Sequence, residues 1–180
     1  MITSKDRSGW FGASDTSYVV GNYATKSFKK WWLAKLGLSE NTFSNKSMEV
    51  GNVYEHKILD TFPGIRKDHQ VLIPELHLRV NYDGDMEGTI YEVKTTTGEA
   101  KVPKAYWRQA QVEMYAMNTD KLFIVFYSLT ERDYLNYFAE IDKERITMIP
   151  VEYDLSFIEN EYLPKLKYLC KCLEEGVMPK

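Results

Sequence analysis

Residues 80–97 read VNYDGDMEGTIYEVKTTT, and the rest of the chain is best read outward from this stretch. β-Branched and aromatic residues fill two short segments, 76–82 and 89–95, on either side of a polar turn that starts at Asp83-Gly84 and ends at Gly88. That composition predicts a β-hairpin. Side chains two apart on a strand share a face, so Glu92 and Lys94 point together while Val93 points the other way, into the core. Asp83, at the mouth of the hairpin, reaches the same patch. Two carboxylates and an amine on one sheet surface suit metal-assisted phosphodiester hydrolysis. Their hard oxygens fit Mg²⁺, the metal polarises the phosphate and activates water, and the lysine orients that water or neutralises developing charge. The same letters also occur in hairpins whose alternating charges merely face water, so the decision rests on the remaining sequence.

The 180 residues suffice for one domain with a sizeable core, taken here as 1–180. A hydrophobic content of 44% with 14% aromatic residues excludes a disordered or fibrous chain. No apolar run approaches about 18 residues, which excludes a membrane-spanning helix. The N-terminal MITSKDRSGW lacks the apolar core of a signal peptide, so a cytoplasmic location is expected. A net charge of −3 argues against a protein that coats nucleic acid non-specifically, yet leaves room for a DNA enzyme with local basic patches. Cys170 and Cys172, two apart on a predicted helix, face different ways and read as ordinary reduced thiols.

In chain order, RSGWFGAS (7–14) is a loop entering a short helix, 15–20, with Ser14-Asp15 as its N-cap. With Arg7 beside it, that helix start suits a phosphate; the bland alternative is a plain serine cap. A second helix, 27–36, opens on a Ser cap and stops at Gly37. Its Trp31 and Trp32 read as core, and its neighbouring Lys26, Lys29, Lys30 and Lys35 as either a solvated face or a track for a DNA backbone. The third helix, 46–62, aligns Gly51, Tyr54, Ile58, Leu59 and Phe62 on one face with Glu55 inside that stripe. An inward carboxylate costs several kcal/mol unless paired or metal-bound, so Glu55 is a candidate site residue. Gly51 reads as a point of close strand approach, and His56 and His69 read as surface residues. A strand, 67–73, leads to the hairpin, and a helix begins at Pro103 and runs to about Asn118. On it Gln109 and Gln111 lie on opposite flanks, so only one easily faces the acids, while Lys101, Lys104 and Arg108 form a basic patch. Strands at 122–127 and 134–141, joined by a turn at 130–132, read as antiparallel neighbours, and a helix over 155–175 closes the chain. The order predicts an α/β fold, a mixed central sheet flanked by helices.

Four separated features resemble the PD-(D/E)xK nucleases, in particular the phage lambda exonuclease and YqaJ-type viral recombinase branch, with its restriction-endonuclease-like core. Arg7 to Ser14 looks like that branch's R-x₆-S element for a 5′ phosphate. Gly51-x-x-x-Glu55 is similar to its helical G-x-x-x-E motif, Asp83-Gly84 with Glu92-Val93-Lys94 to its D-G…E-x-K core, and Tyr106-x-x-Gln109-x-Gln111 to its Y-x-x-Q-x-Q element. The likeness spans residues 7 to about 117. Tyr82 occupies the place of the family's Pro, and Gln111-x-x-x-Tyr115 also fits the Q-x-x-x-Y motif of RecB-like relatives. RecB-like relatives with an iron–sulfur cluster use four cysteines, where this chain has 2.

The resemblance implies that Asp83 and Glu92 bind one or two Mg²⁺ or Mn²⁺ ions with the Val93 carbonyl, that Glu55 supports the metal, and that Lys94 orients or deprotonates the attacking water. Gln109 would position Lys94 or the water, and Arg7 and Ser14 would hold a terminal 5′ phosphate. The implied function is a metal-dependent 5′ to 3′ DNA exonuclease of phage-type recombination. Its implied partners are double-stranded DNA ends, a single-strand annealing protein and other copies of the chain, in the cytoplasm of a bacterial host if phage-encoded. Two alternatives remain at this level: a structure- or sequence-specific endonuclease on the same core, and a catalytically silent DNA-end-binding module.

Overall fold

The computed structural model describes residues 7–39 and 46–180; the stretch before Arg7, read above for a signal peptide, lies outside them. Helices α1 (Thr16–Val19), α2 (Lys26–Lys35), α3 (Lys46–Leu59), α4 (Lys104–Met117), α5 (Leu155–Phe157) and α6 (Leu163–Glu175) surround one five-stranded sheet. Its strands, β1 (Arg66–Ile73), β2 (Leu78–Met86), β3 (Thr89–Thr96), β4 (Leu122–Ser128) and β5 (Ile146–Val151), lie side by side in chain order. All neighbours are antiparallel except β3 and β4, which run parallel because α4 carries the chain back across the sheet between them. The expected α/β architecture with a mixed sheet is present.

Strand alternation divides the core in two. Val80, Tyr82, Ile90, Ile124 and Phe126 pack towards α1, α2, α4 and α6, while Tyr91, Val93, Val125 and Tyr127 pack against Val50, Tyr54, Ile58 and Leu59 of α3. Trp31 and Trp32 are core, as read: both rings lie near Phe11, with centroids 6.0 and 6.2 Å away. Lys35 is neither on a solvated face nor on a DNA track, for it is buried and its Nζ donates to Asp15 Oδ2 (2.6 Å) and the Trp10 carbonyl (2.8 Å). The cap of α2 is Thr25, whose Oγ1 accepts from Phe28 N at 3.1 Å, two residues before the expected Ser.

Two further boundaries and the roles of two glycines differ from the sequence reading. The hairpin turn is Glu87-Gly88 alone, both residues with positive φ (50° and 77°), so Asp83 and Gly84 lie within β2. Gly84 resembles turn chemistry in sequence but serves packing, since a Cβ there would lie 2.7 Å from Ile65 Cδ1 and 3.0 Å from Leu59 Cδ2. At Gly51 a Cβ would meet only Thr95 Oγ1, at 3.6 Å, so close strand approach does not require that glycine. The strand expected over 134–141 forms later, as β5. Thr130 and Asp133 cap a 3₁₀ turn over Glu131–Tyr134, and Tyr54 and Lys57 of α3 take the carbonyls of Asn136, Tyr137 and Ala139 that a strand would need. Pro150 is tolerated in β5 because that strand is an edge.

The last helix spans its expected range with one π turn, Ile158–Tyr162, between α5 and α6. Pro164, which has no N–H for the preceding turn, follows directly. Among the described residues no helix is long and apolar enough to cross a membrane. Both cysteines are free and buried; burial, with Glu174 nearby, pushes the Cys170 thiol up to about 11.

Candidate active site

The site forms where β2 and β3 part. Their pairing runs from Met86↔Thr89 only to Gly84↔Tyr91. Beyond that point β2 takes a new neighbour, the N-terminal segment: Phe11 N donates to the His77 carbonyl (2.7 Å) and Arg79 N to the Phe11 carbonyl (2.8 Å). The parting leaves Val93 N–H without a strand partner, and Asp83 Oδ2 accepts from it at 2.8 Å. The Val93 carbonyl projects from the same edge of β3, into the same fork.

Glu92 and Lys94 share a face, as alternation requires, and Lys94 Nζ donates to Glu92 Oε1 at 2.7 Å. Tyr106 lies beside them, with Lys94 Nζ 5.1 Å from its ring centroid. Gln109, one helical turn on, donates from Nε2 to Glu92 Oε1 (2.6 Å) and to Glu113 Oε1 (2.7 Å). Gln111 points away, donating to the Glu152 carbonyl and accepting from Asp154 N. Of the two glutamines, Gln109 is the one at the acids.

Two clefts meet at this fork. The first, about 210 Å³, is lined by Arg7, Trp10, Ser14, Arg79 and Asn81 together with Asp83, Glu92, Lys94, Gln109 and Glu113. The second, about 340 Å³, holds Glu55, Gly51 and Tyr106 beside Asp83, Val93 and Lys94. Asp83 and Lys94 border both. The structure thus gathers Asp83, Glu92, Lys94 and Gln109, with Glu55 on one side of Asp83 and Arg7 with Ser14 on the other. Ser14 is not the expected cap: Asp15 accepts from Gly12 N (2.8 Å) and closes that turn, leaving Ser14 exposed at the cleft.

Electrostatics mark the fork as a place where buried carboxyl groups crowd together. Burial, then the charges of Glu92 and Glu55, pushes the Asp83 carboxyl well above the usual range. Burial and Glu92 do the same to Glu113, and burial with Glu92 raises Glu55. Burial works against the Lys94 ammonium, but Glu92 and Asp83 outweigh it and hold its pKa above the ordinary lysine value. Lys94 meets four carboxyl groups at the fork, and Arg7 and Arg79 line the first cleft beside them. Glu92 Oε2 and Glu113 Oε2 are buried with no hydrogen-bond partner among the described residues. Orphaned, buried carboxylate oxygens are hard donors of the kind that fits a divalent cation.

The sequence reading passed over Glu113, Arg79 and Asn81. Glu113 lies four residues after Gln109, the spacing that puts two side chains on one helix face, and Arg79 and Asn81 alternate with Asp83 along β2. His69, read as a surface residue, is partly buried, with Nδ1 3.0 Å from Asp85 Oδ1. His56 is exposed as read, and with Glu55 and Asp68 it presents ligand atoms within 4.8 Å of one another at the rim of the site.

No protein-family model matches the chain, and no curated protein sequence matches it. Solved structures do. LHK-Exo in complex with dAMP aligns at a TM-score of 0.70 and 19% identity, covering 94% of this chain and 90% of that one. A further structure of LHK-Exo, an alkaline exonuclease from Laribacter hongkongensis, aligns at 0.64 and 19% identity, with 94% of each chain covered. A phage-related exonuclease from Haemophilus somnus 129PT aligns at 0.59 and 17% identity, with 92% of each chain covered. At these identities the likeness establishes the fold, and that fold is the one expected from the motif resemblance.

Proposed function

We propose that this chain is a divalent-metal-dependent DNA exonuclease that degrades duplex ends from 5′ to 3′, acting as a single nuclease domain in phage-type recombination. The observation that carries the reading is the fork itself: Asp83, Glu92 and Lys94 meet there, with Glu55 on one side and an Arg7–Ser14 cleft on the other. The similarly folded proteins are exonucleases, and one of them was crystallised with dAMP, a deoxynucleoside monophosphate of the kind exonucleases release.

Asp83, Glu92, Glu55 and the Val93 carbonyl are the groups that would hold Mg²⁺ or Mn²⁺; when bound, the cation supplies Lewis-acid polarisation of the phosphate and a more acidic water. The chain's own residues do the rest. Lys94, held as an ammonium against Glu92, orients the attacking water and neutralises charge developing on the scissile phosphate. Gln109 fixes the Glu92 carboxylate through its Nε2 bond. Tyr106 limits where Lys94 can swing. Arg7 and Ser14, which line the cleft beside Asp83 and Glu92, hold the terminal 5′ phosphate. Strands left with 3′ overhangs suit a single-strand annealing partner.

The test is digestion of linear duplex with and without 5′ phosphates, beside a covalently closed circle, with Mg²⁺, with EDTA, and with Lys94→Ala. Loss of the 5′-phosphorylated strand only with metal, a spared circle and an inactive Lys94→Ala are expected. Cutting of the circle would convert the reading to an endonuclease, and no cleavage with any metal would leave a DNA-end-binding module.

A further inference from the structure

Glu113 is the most deeply buried acid at the fork, with no exposed surface at all. Its Oε1 accepts from Gln109 Nε2, and its Oε2 is enclosed without a hydrogen-bond partner among the described residues. Glu92 repeats the pattern, with Oε1 taken by Lys94 and Gln109 and Oε2 enclosed without a partner. One amide nitrogen therefore bridges two carboxylates, each of which keeps a second oxygen unmet inside the same cleft. The backbone holds Glu113 there on purpose: Tyr82 OH, from the residue next to Asp83, donates to the Glu113 carbonyl at 2.9 Å and fixes this turn of α4 against β2. An unpaired buried carboxyl costs several kcal/mol, and elsewhere in the chain such groups are met by a lysine or an arginine.

We propose that Glu113 is a cation ligand, and that Glu92 and Glu113 hold a divalent ion on the α4 side of the fork, distinct from the one at Asp83, Glu55 and the Val93 carbonyl, to which Glu92 is common. Glu55 and Val93 line the second cleft and Glu113 the first, so the two ions lie on opposite sides of Asp83 and Lys94. An ion at Glu113 shares its cleft with Arg7 and Ser14 and so bears on the bound phosphate. Oxygen-only donors select Mg²⁺ or Mn²⁺ over softer metals. The inference rests on the metal-dependent reading of the same fork.

The experiment counts Mn²⁺ bound by the whole chain, by electron paramagnetic resonance of the free ion and by calorimetry, for the unaltered protein, Glu113→Gln, Glu55→Gln and Asp83→Asn. The unaltered chain is expected to bind two ions. Glu113→Gln should lose one of them, or bind it more than about tenfold more weakly, while Glu55→Gln weakens the other. Glu113→Gln keeps the shape of the side chain, and thermal melting without metal verifies that it folds; added Mn²⁺ should then raise its melting temperature less than that of the unaltered chain. Glu113→Asp, which keeps the carboxylate, should recover part of the loss. Unchanged Mn²⁺ number and affinity in Glu113→Gln would overturn the proposal and leave Glu113 a protonated partner of Gln109. A chain that binds one ion, sensitive to Asp83→Asn alone, overturns this proposal only; one that binds none overturns the metal-dependent function as well.

Discussion

Asp15 and Glu113 are both buried carboxylates, and the chain surrounds them in opposite ways. Asp15 accepts from Gly12 N, Trp31 Nε1 and Lys35 Nζ at 2.8, 2.9 and 2.6 Å. Asp133 is met as fully, by Thr130 N, Thr130 Oγ1 and the Arg145 guanidinium. At the fork, Glu113 and Glu92 each keep an enclosed oxygen with no hydrogen-bond partner among the described residues, and Lys94 donates to Glu92. Where a carboxylate serves the fold, the sequence supplies its counter-charge from another element. At the fork, the unmet oxygens are the ones that the proposed cation would take up.

The sharpest way to break that comparison is to neutralise one acid of each kind. Glu92→Gln is expected to lower metal-dependent cleavage by on the order of 10³-fold or more, about 4 kcal/mol of barrier. Its melting temperature should stay level or rise without metal, because a repelling charge is gone; nuclease kinetics beside calorimetric melting reads both. Asp15→Asn should do the reverse. It leaves Lys35 buried without its pair and costs about 3 kcal/mol in urea unfolding, while cleavage per folded molecule holds.

Acid titration separates the two groups next. Burial raises the Asp133 carboxyl, but hydrogen bonds from Arg145 and Thr130 outweigh it and hold the pKa at about 2. A carboxylate depressed below its unfolded value near ~3.9 stabilises fully above that value and loses the contribution as pH falls through about 2, here about 2 kcal/mol. Urea midpoints between pH 5 and 2 should therefore fall less steeply in Asp133→Asn than in the unaltered chain. Asp83 and Glu113, raised instead of lowered, contribute no such acid limb.

The smallest effect concerns Gly84 and Gly51, the glycines of the two motifs that carry Asp83 and Glu55. Gly84→Ala forces Ile65 and Leu59 aside and should cost about 1–2 kcal/mol. Gly51→Ala meets only ordinary contact with Thr95 and should stay within about 0.5 kcal/mol. Equal losses at both would mean that α3 sits closer to β3 than described.

Sequence periodicity alone determined the alternation that pairs Glu92 with Lys94, the inward stripe that carries Glu55, and the split between Gln109 and Gln111. Those readings needed only the fixed geometry of a strand or a helix. Tertiary structure decided everything that depends on where two distant segments meet. Asp83-Gly84 has the letters of a turn, yet lies in a strand because Leu59 and Ile65 press on it. Residues 134–141 alternate like a strand, but α3 claims their carbonyls first. Lys35 has the look of a surface lysine until Asp15, twenty positions away, folds over it. Glu113 was legible as an acid one turn from Gln109, but its Oε2, unmet among the described residues, was not, because which oxygen goes unpaired is a property of the assembled cleft. Local geometry is written in neighbouring residues; which buried charge goes unmet is settled only when the strands part and the N-terminal segment fills the gap.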